Sequence, residues 1–140
     1  MTIDLNYSTL IDFDENDFVV AGPGALSGLA KCFPGAARQI DPADLIRMMV
    51  ETQDEQLDFY GIDFKDLFGR PLKLIDCQNL FCETDKYARV VHPDRRGTGN
   101  RTRIKQQFAP RGPLASPFFP PKWGLTPGAP ANREKPVRAG

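Results

Sequence analysis

Apolar positions recur at helical spacing in the middle of this chain and lose all regularity toward its C-terminus. Residues 1–20 alternate acidic and apolar positions. "DFVVAGPGALSGLAKCF" then gives a short strand-like or helical run, a Gly-Pro-Gly turn and a helix. Pro34-Gly35 breaks the pattern. It restarts with Asp41 as N-cap and Pro42 at the first helical position, and Leu45, Ile46, Met49 and Val50 repeat at helical intervals up to a stop at Gly61. "DFKDLFGRP" adds a short turn of helix before Gly69 and Pro71.

The longest periodic segment is "LIDCQNLFCETDKYARVVHP". It predicts a helix capped by Asp76, running to about Val91 and stopped by Pro93. Cys77, Phe81, Thr84, Ala88 and Val91 form the stripe expected to be buried, with Leu80 beside it. Asn79, Glu83, Lys86, Tyr87 and Val90 form the adjacent stripe, which lines up four polar groups on one side. Nine of the thirteen prolines and six of the twelve glycines lie in 93–140, so no long helix is expected there. Ile104, Phe108, Phe118, Phe119 and Trp123 are too many large apolar groups for a solvated linker. The expected organisation is a helical domain over 1–92, a basic extended segment over 93–125 packed on it, and a disordered tail over 126–140.

Composition narrows the class. At 140 residues and 41% hydrophobic content the chain supports one modest core. No apolar run approaches the roughly 18 residues that span a bilayer, and the acidic N-terminus is unlike a signal peptide, so a cytoplasmic protein is expected. Cys32, Cys77 and Cys82 have neither disulfide-framework nor zinc spacing, which implies no metal and three thiols in apolar roles. The formal net charge of zero conceals a division. Through Tyr87 seven Lys/Arg face sixteen Asp/Glu, a net of −9; from Ala88 onward eleven face two, a net of +9. An acidic body with a basic tail fits contact with nucleic-acid phosphates, and equally a tail folded back on its own domain.

Three constellations carry candidate chemistry. Gly22, Pro23 and Gly24 form a Gly-x-Gly bend whose following helix can turn backbone amides toward a DNA phosphate, with Gly28 set for close packing; most such bends are only turns. Asp76 suits an N-cap first and a catalytic anion second. Glu83 and Lys86 suit an ordinary surface ion pair, Tyr87 a half-buried ring, and His92 a partner for the helix C-terminus. Arg95, Arg96, Arg101, Arg103 and Lys105, in "RRGTGNRTRIKQQF", suit phosphate or pyrophosphate, or a solvated loop. Phe108, Phe119 and Trp123 fit a tail anchor better than a stacking platform for bases.

Taken together, "VVAGPGALSGLAKCF", "DFKDLFGRPLKLIDCQNLFCETDKYARVVHP", "GNRTRIKQQF" and "FFPPKWGL" resemble the phage and bacterial thymine-hypermodification proteins, over about residues 18–125. The group resembled comprises amino acid:DNA transferases and glutamyl/putrescinyl-thymine pyrophosphorylases, distantly similar to helix-hairpin-helix DNA glycosylases. The resemblance implies an all-α, helix-hairpin-helix-containing fold, whole or truncated, and DNA with modified thymine as partner. It also implies a small amine as co-substrate that displaces pyrophosphate from the 5-methylene of the base, with no cofactor. By position it implies Asp76, Glu83 and Lys86 as catalytic residues, and Gln78, Asn79 and Tyr87 as base-binding ones. Proton acceptance would fall to Asp76 or Glu83, charge neutralisation to Lys86 with Arg101, Arg103 and Lys105, and reading of a flipped base to the two amides.

Two alternatives stand beside this enzyme. A DNA-binding fragment, or a subunit completing a second protein, would show salt-dependent affinity carried by Arg101, Arg103 and Lys105 without chemistry. A structural or interaction protein would bind no DNA at moderate salt.

Overall fold

A computed structural model describes residues 3–63, 70–104, 109, 111–113, 116 and 118–125. The described elements are helical: α1 (Pro23–Cys32), α2 (Pro42–Glu51), α3 (Gln53–Phe59) and α4 (Leu74–Val91), with 3-10 turns at Ile3–Tyr7, Ala36–Arg38 and Pro121–Trp123. The all-α class that the resemblance implies holds among the described residues. The turn expected within 63–71 falls largely on 64–69, and the tail 126–140 wholly, outside the described residues.

Local chemistry explains most helix ends. The Asp41 carboxylate accepts the Ala43 N–H at 2.7 Å with Pro42 at the first position, so α2 starts where the sequence predicts. It stops earlier than predicted, at Glu51, because the Thr52 hydroxyl donates to the Met48 carbonyl and the chain restarts as α3. Gly61, at φ 63°, ends α3: its N–H donates to the Asp58 carbonyl and the Ile62 N–H to the Leu57 carbonyl, the paired bonds of a Schellman motif.

The start of α4 differs from expectation. Lys73 is the N-cap, and Asp76 stands three residues inside, its carboxylate accepting the Lys73 N–H at 2.9 Å. The Leu74 N–H donates to the Asn16 side chain at 3.0 Å, across 58 positions of sequence. A first-turn amide is thus satisfied by a segment that no local pattern reveals. The preceding residues are held by Gln53, whose amide both accepts the Leu72 N–H at 3.0 Å and donates to the Leu72 carbonyl at 3.1 Å.

α1 lies along α4, and α2 also packs on α4. The shared core is Ala25, Leu29, Leu45, Ile46, Leu72, Leu74, Cys77 and Phe81, edged by Val19, Phe33, Met49 and Val50. Gly24 and Gly28 let α1 and α4 approach. A Cβ on Gly28 would sit 2.1 Å from the Phe81 carbonyl oxygen, and one on Gly24 3.1 Å from Cys82 Sγ. The close-packing role expected for Gly28 is therefore real.

The hairpin is not formed. Among the described residues no helix precedes Gly22 except the 3-10 turn at Ile3–Tyr7, so Gly22, Pro23 and Gly24 open α1 as N-cap and first turn instead of joining two helices. The buried stripe of α4 also shifts: it is Leu74, Cys77, Phe81, Asp85 and Ala88, whereas Thr84 is only partly covered and Leu80 and Val91 are about half exposed. A carboxylate lies where an apolar stripe was expected.

Candidate phosphate-holding site

That carboxylate organises the site. α4 aims Asp85 between two residues of α1, and its side chain is 2% exposed. The Ser27 hydroxyl donates to Asp85 Oδ1 at 2.7 Å, and the Lys31 ammonium reaches the same oxygen at 2.9 Å and the Asp85 carbonyl at 3.2 Å. One turn on, the Arg89 guanidinium pairs with Oδ2 and donates to the Arg103 carbonyl at 3.1 Å. Burial pushes the Asp85 pKa up, but the hydrogen bonds from Lys31, Arg89 and Ser27 outweigh it and hold the carboxyl below its ordinary range. Lys31 and Arg89 are 5% and 7% exposed, so two cations share one buried anion. Arg89 Nε, also buried, donates to nothing among the described residues.

Above this triad the chain leaving α4 folds over α1. His92 caps α4, its N–H donating to the Ala88 carbonyl, and the Arg95 N–H then donates to the His92 carbonyl. Gly97 lies against Ser27, where a Cβ would meet the hydroxyl at 2.1 Å. This path leaves a half-open recess of about 60 Å³ lined by Lys31, Arg89, Arg95, Arg96 and Arg101, together with Pro93, Gly97, Gly99, Asn100 and Thr102. Five cations meet one carboxylate, a formal excess of four positive charges. A wider groove along Arg89, Arg101, Thr102, Arg103 and Ile104 continues from it. Guanidinium forks in such density match the oxygen geometry of phosphate.

The residues expected to act on a base are distributed differently. Asp76 receives Arg70 at 2.9 Å as well as the Lys73 N–H, inside a second cluster. There the Arg70 guanidinium stacks 3.9 Å from the Trp123 ring centroid, and the Trp123 indole donates to Glu15 at 3.0 Å. Asn6 donates to the other Glu15 oxygen. Glu83 and Lys86 pair with each other on the surface, as their spacing suggests. Asn79 and Tyr87 are exposed, Tyr87 by 59% and edge-on to His92. Gln78 reaches toward Gly22, its amide nitrogen 3.9 Å from where a Cβ would stand, so the bend and the start of α4 are neighbours. Cys77, buried beneath, has its thiol pushed up to about 11 by desolvation and then by Asp76, and is inert.

Of the predicted phosphate ligands, Arg101 lines both recess and groove and Arg103 the groove, while Lys105 lies outside the described residues. Arg95 and Arg96, read from the same arginine-rich run, also line the recess, whereas Lys31, Asp85 and Arg89 are residues that the pattern did not single out as ligands. The signal existed: Asp85 continues the 77, 81, 88 stripe and has Arg89 four positions on.

A family model described as 5-hmdU DNA kinase, helical domain, matches residues 1–97. No curated protein and no solved structure matches the chain.

Proposed function

The chain belongs to the 5-hmdU DNA kinase helical-domain family, and from that premise we propose that it holds the DNA substrate while a hydroxymethyl group on a thymine-derived base is modified. The resemblance to thymine-hypermodification proteins agrees at the level of base modification in DNA. The observation that carries the proposal is the gathering of Lys31, Arg89, Arg95, Arg96 and Arg101 around one recess, anchored from below by Asp85. Such a face neutralises backbone phosphates and releases their counterions, a sequence-independent source of affinity.

The sequence contains no Gly-x-x-x-x-Gly-Lys-Ser/Thr loop of the kind that cradles a nucleotide triphosphate. Holding DNA is accordingly the role we assign, ahead of phosphoryl transfer. Amine transfer through Asp76 and Glu83 stands behind it, because Asp76 is engaged by Arg70 and Lys73 and Glu83 by Lys86.

Fluorescence anisotropy with duplex DNA containing 5-hydroxymethyluracil tests the proposal. Saturable binding at low salt is expected, and it should collapse when Arg95 and Arg96 are both changed to Glu. No binding at low salt, or binding indifferent to that double change, would overturn it. Mass spectrometry of nucleosides, after incubation with pyrophosphorylated DNA and an amine, separates out the transferase reading: a new base adduct would put amine transfer first.

A further inference from the structure

The recess over Asp85 is narrower in purpose than a general basic face. It is half open and measures about 60 Å³. Its floor is rigid: Lys31 and Arg89 are more than nine-tenths buried and fixed by Asp85, and Ser27 is covered by Gly97. Buried Arg89 Nε has a proton to donate and no acceptor among the described residues. Its rim is different, since Arg95, Arg96 and Arg101 are exposed and make no ion pair among the described residues. Asp94, the acidic residue next to them in sequence, is exposed and does not line the recess.

A phosphodiester carries one negative charge, whereas a phosphomonoester carries nearly two at neutral pH and three free oxygens. An excess of four positive charges around one recess matches the second better than the first. We propose that this recess is a phosphomonoester site, in which Lys31 and Arg89 form the floor and Arg95, Arg96 and Arg101 close over the oxygens. The site itself stands on the geometry; only the source of its ligand rests on the DNA-holding role. Two sources share the chemistry: a phosphorylated hydroxymethyl group on a base, which a kinase acting on 5-hmdU would make, and the phosphate at a DNA strand's 5′ end.

The test uses the full chain and inorganic phosphate as probe, followed by amide NMR shifts and by thermal unfolding, against chloride at equal ionic strength. Saturable shifts confined to 31, 89 and 95–102 are expected. Arg96→Gln and Arg101→Gln alter exposed side chains and should leave the unfolding temperature without phosphate unchanged, while each lowers phosphate affinity about tenfold. Scattered shifts, an equal response to chloride, or full affinity in both variants would overturn the site. Three duplexes then separate the sources: one with hydroxyl ends and no base phosphate, one with a 5′-terminal phosphate, one with a phosphorylated hydroxymethyluracil. Competition with inorganic phosphate by either phosphorylated duplex, beyond that of the first, supports the proposal and identifies the source. Equal competition by all three would show a diester site and overturn the monoester assignment. DNA binding without phosphate binding would sink the recess and leave the DNA-holding role standing, and the reverse outcome would do the opposite.

Discussion

At the scale of single residues, Asp85 shows how one side chain serves both stability and chemistry. It is the counter-ion without which Lys31 and Arg89 would be two buried charges facing a basic rim. Removing one member of a buried ion cluster leaves an uncompensated charge, so Asp85→Asn should destabilise the fold by about 3–5 kcal/mol, as urea unfolding would measure. Its titration has a defined sign. A carboxyl whose folded pKa lies below its unfolded value of about 3.9 contributes stability that is present above that value and lost as pH falls through the folded one. Native stability should therefore fall on acidification below about pH 4 more steeply than that of the Asp85→Asn variant, in parallel unfolding curves. Neither Lys31 nor Ser27 announces this role in the sequence, because both act from a different helix, 54 and 58 positions away.

Elements differ in how much of them a local pattern reveals. The start of α2 is set within three residues, by Asp41, Pro42 and the Ala43 amide, and was legible. So was the stop at Gly61, since a left-handed residue and two backbone bonds suffice. The start of α4 was displaced because its cap comes from Asn16 and its Asp76 answers to Lys73 and Arg70. The buried stripe was misjudged at Thr84, where Asp85 is buried instead because hydrophobic periodicity counts a carboxylate as surface, and at Val91, which is about half exposed. The packing of α1 on α4 was legible only as two small residues four apart. It makes a firm prediction: Gly28→Ala would drive a methyl into the Phe81 carbonyl, separating the helices and costing about 1–3 kcal/mol or more, read as a lowered unfolding midpoint.

For the whole molecule, the division into acidic body and basic tail becomes specific. Part of the tail does fold back: Trp123 and Lys122 bind Glu15, Arg70 and Phe13, and Tyr7 stacks on Phe118. Arg89, at the start of the tail, pairs with Asp85, while Arg95, Arg96 and Arg101 make no ion pair among the described residues and line the recess above it. Charge counting reveals the excess but not its location, which depends on the turn after His92 and on Gly97 meeting Ser27. No helix of the described residues is long and apolar enough to cross a membrane.

The central claim is that the exposed arginines around this recess and along its groove are where DNA phosphates rest, a monoester within the recess and backbone diesters along its rim. The measurement that bears on it most directly is the slope of log affinity for duplex DNA against log salt concentration, in the native chain and in single-arginine variants. Arg95→Gln, Arg96→Gln and Arg101→Gln should each flatten the slope by about 0.9, whereas Lys86→Gln, outside the recess and paired with Glu83, should leave it as it was. Native slopes in all three arginine variants, or a loss as large at Lys86, would contradict the account.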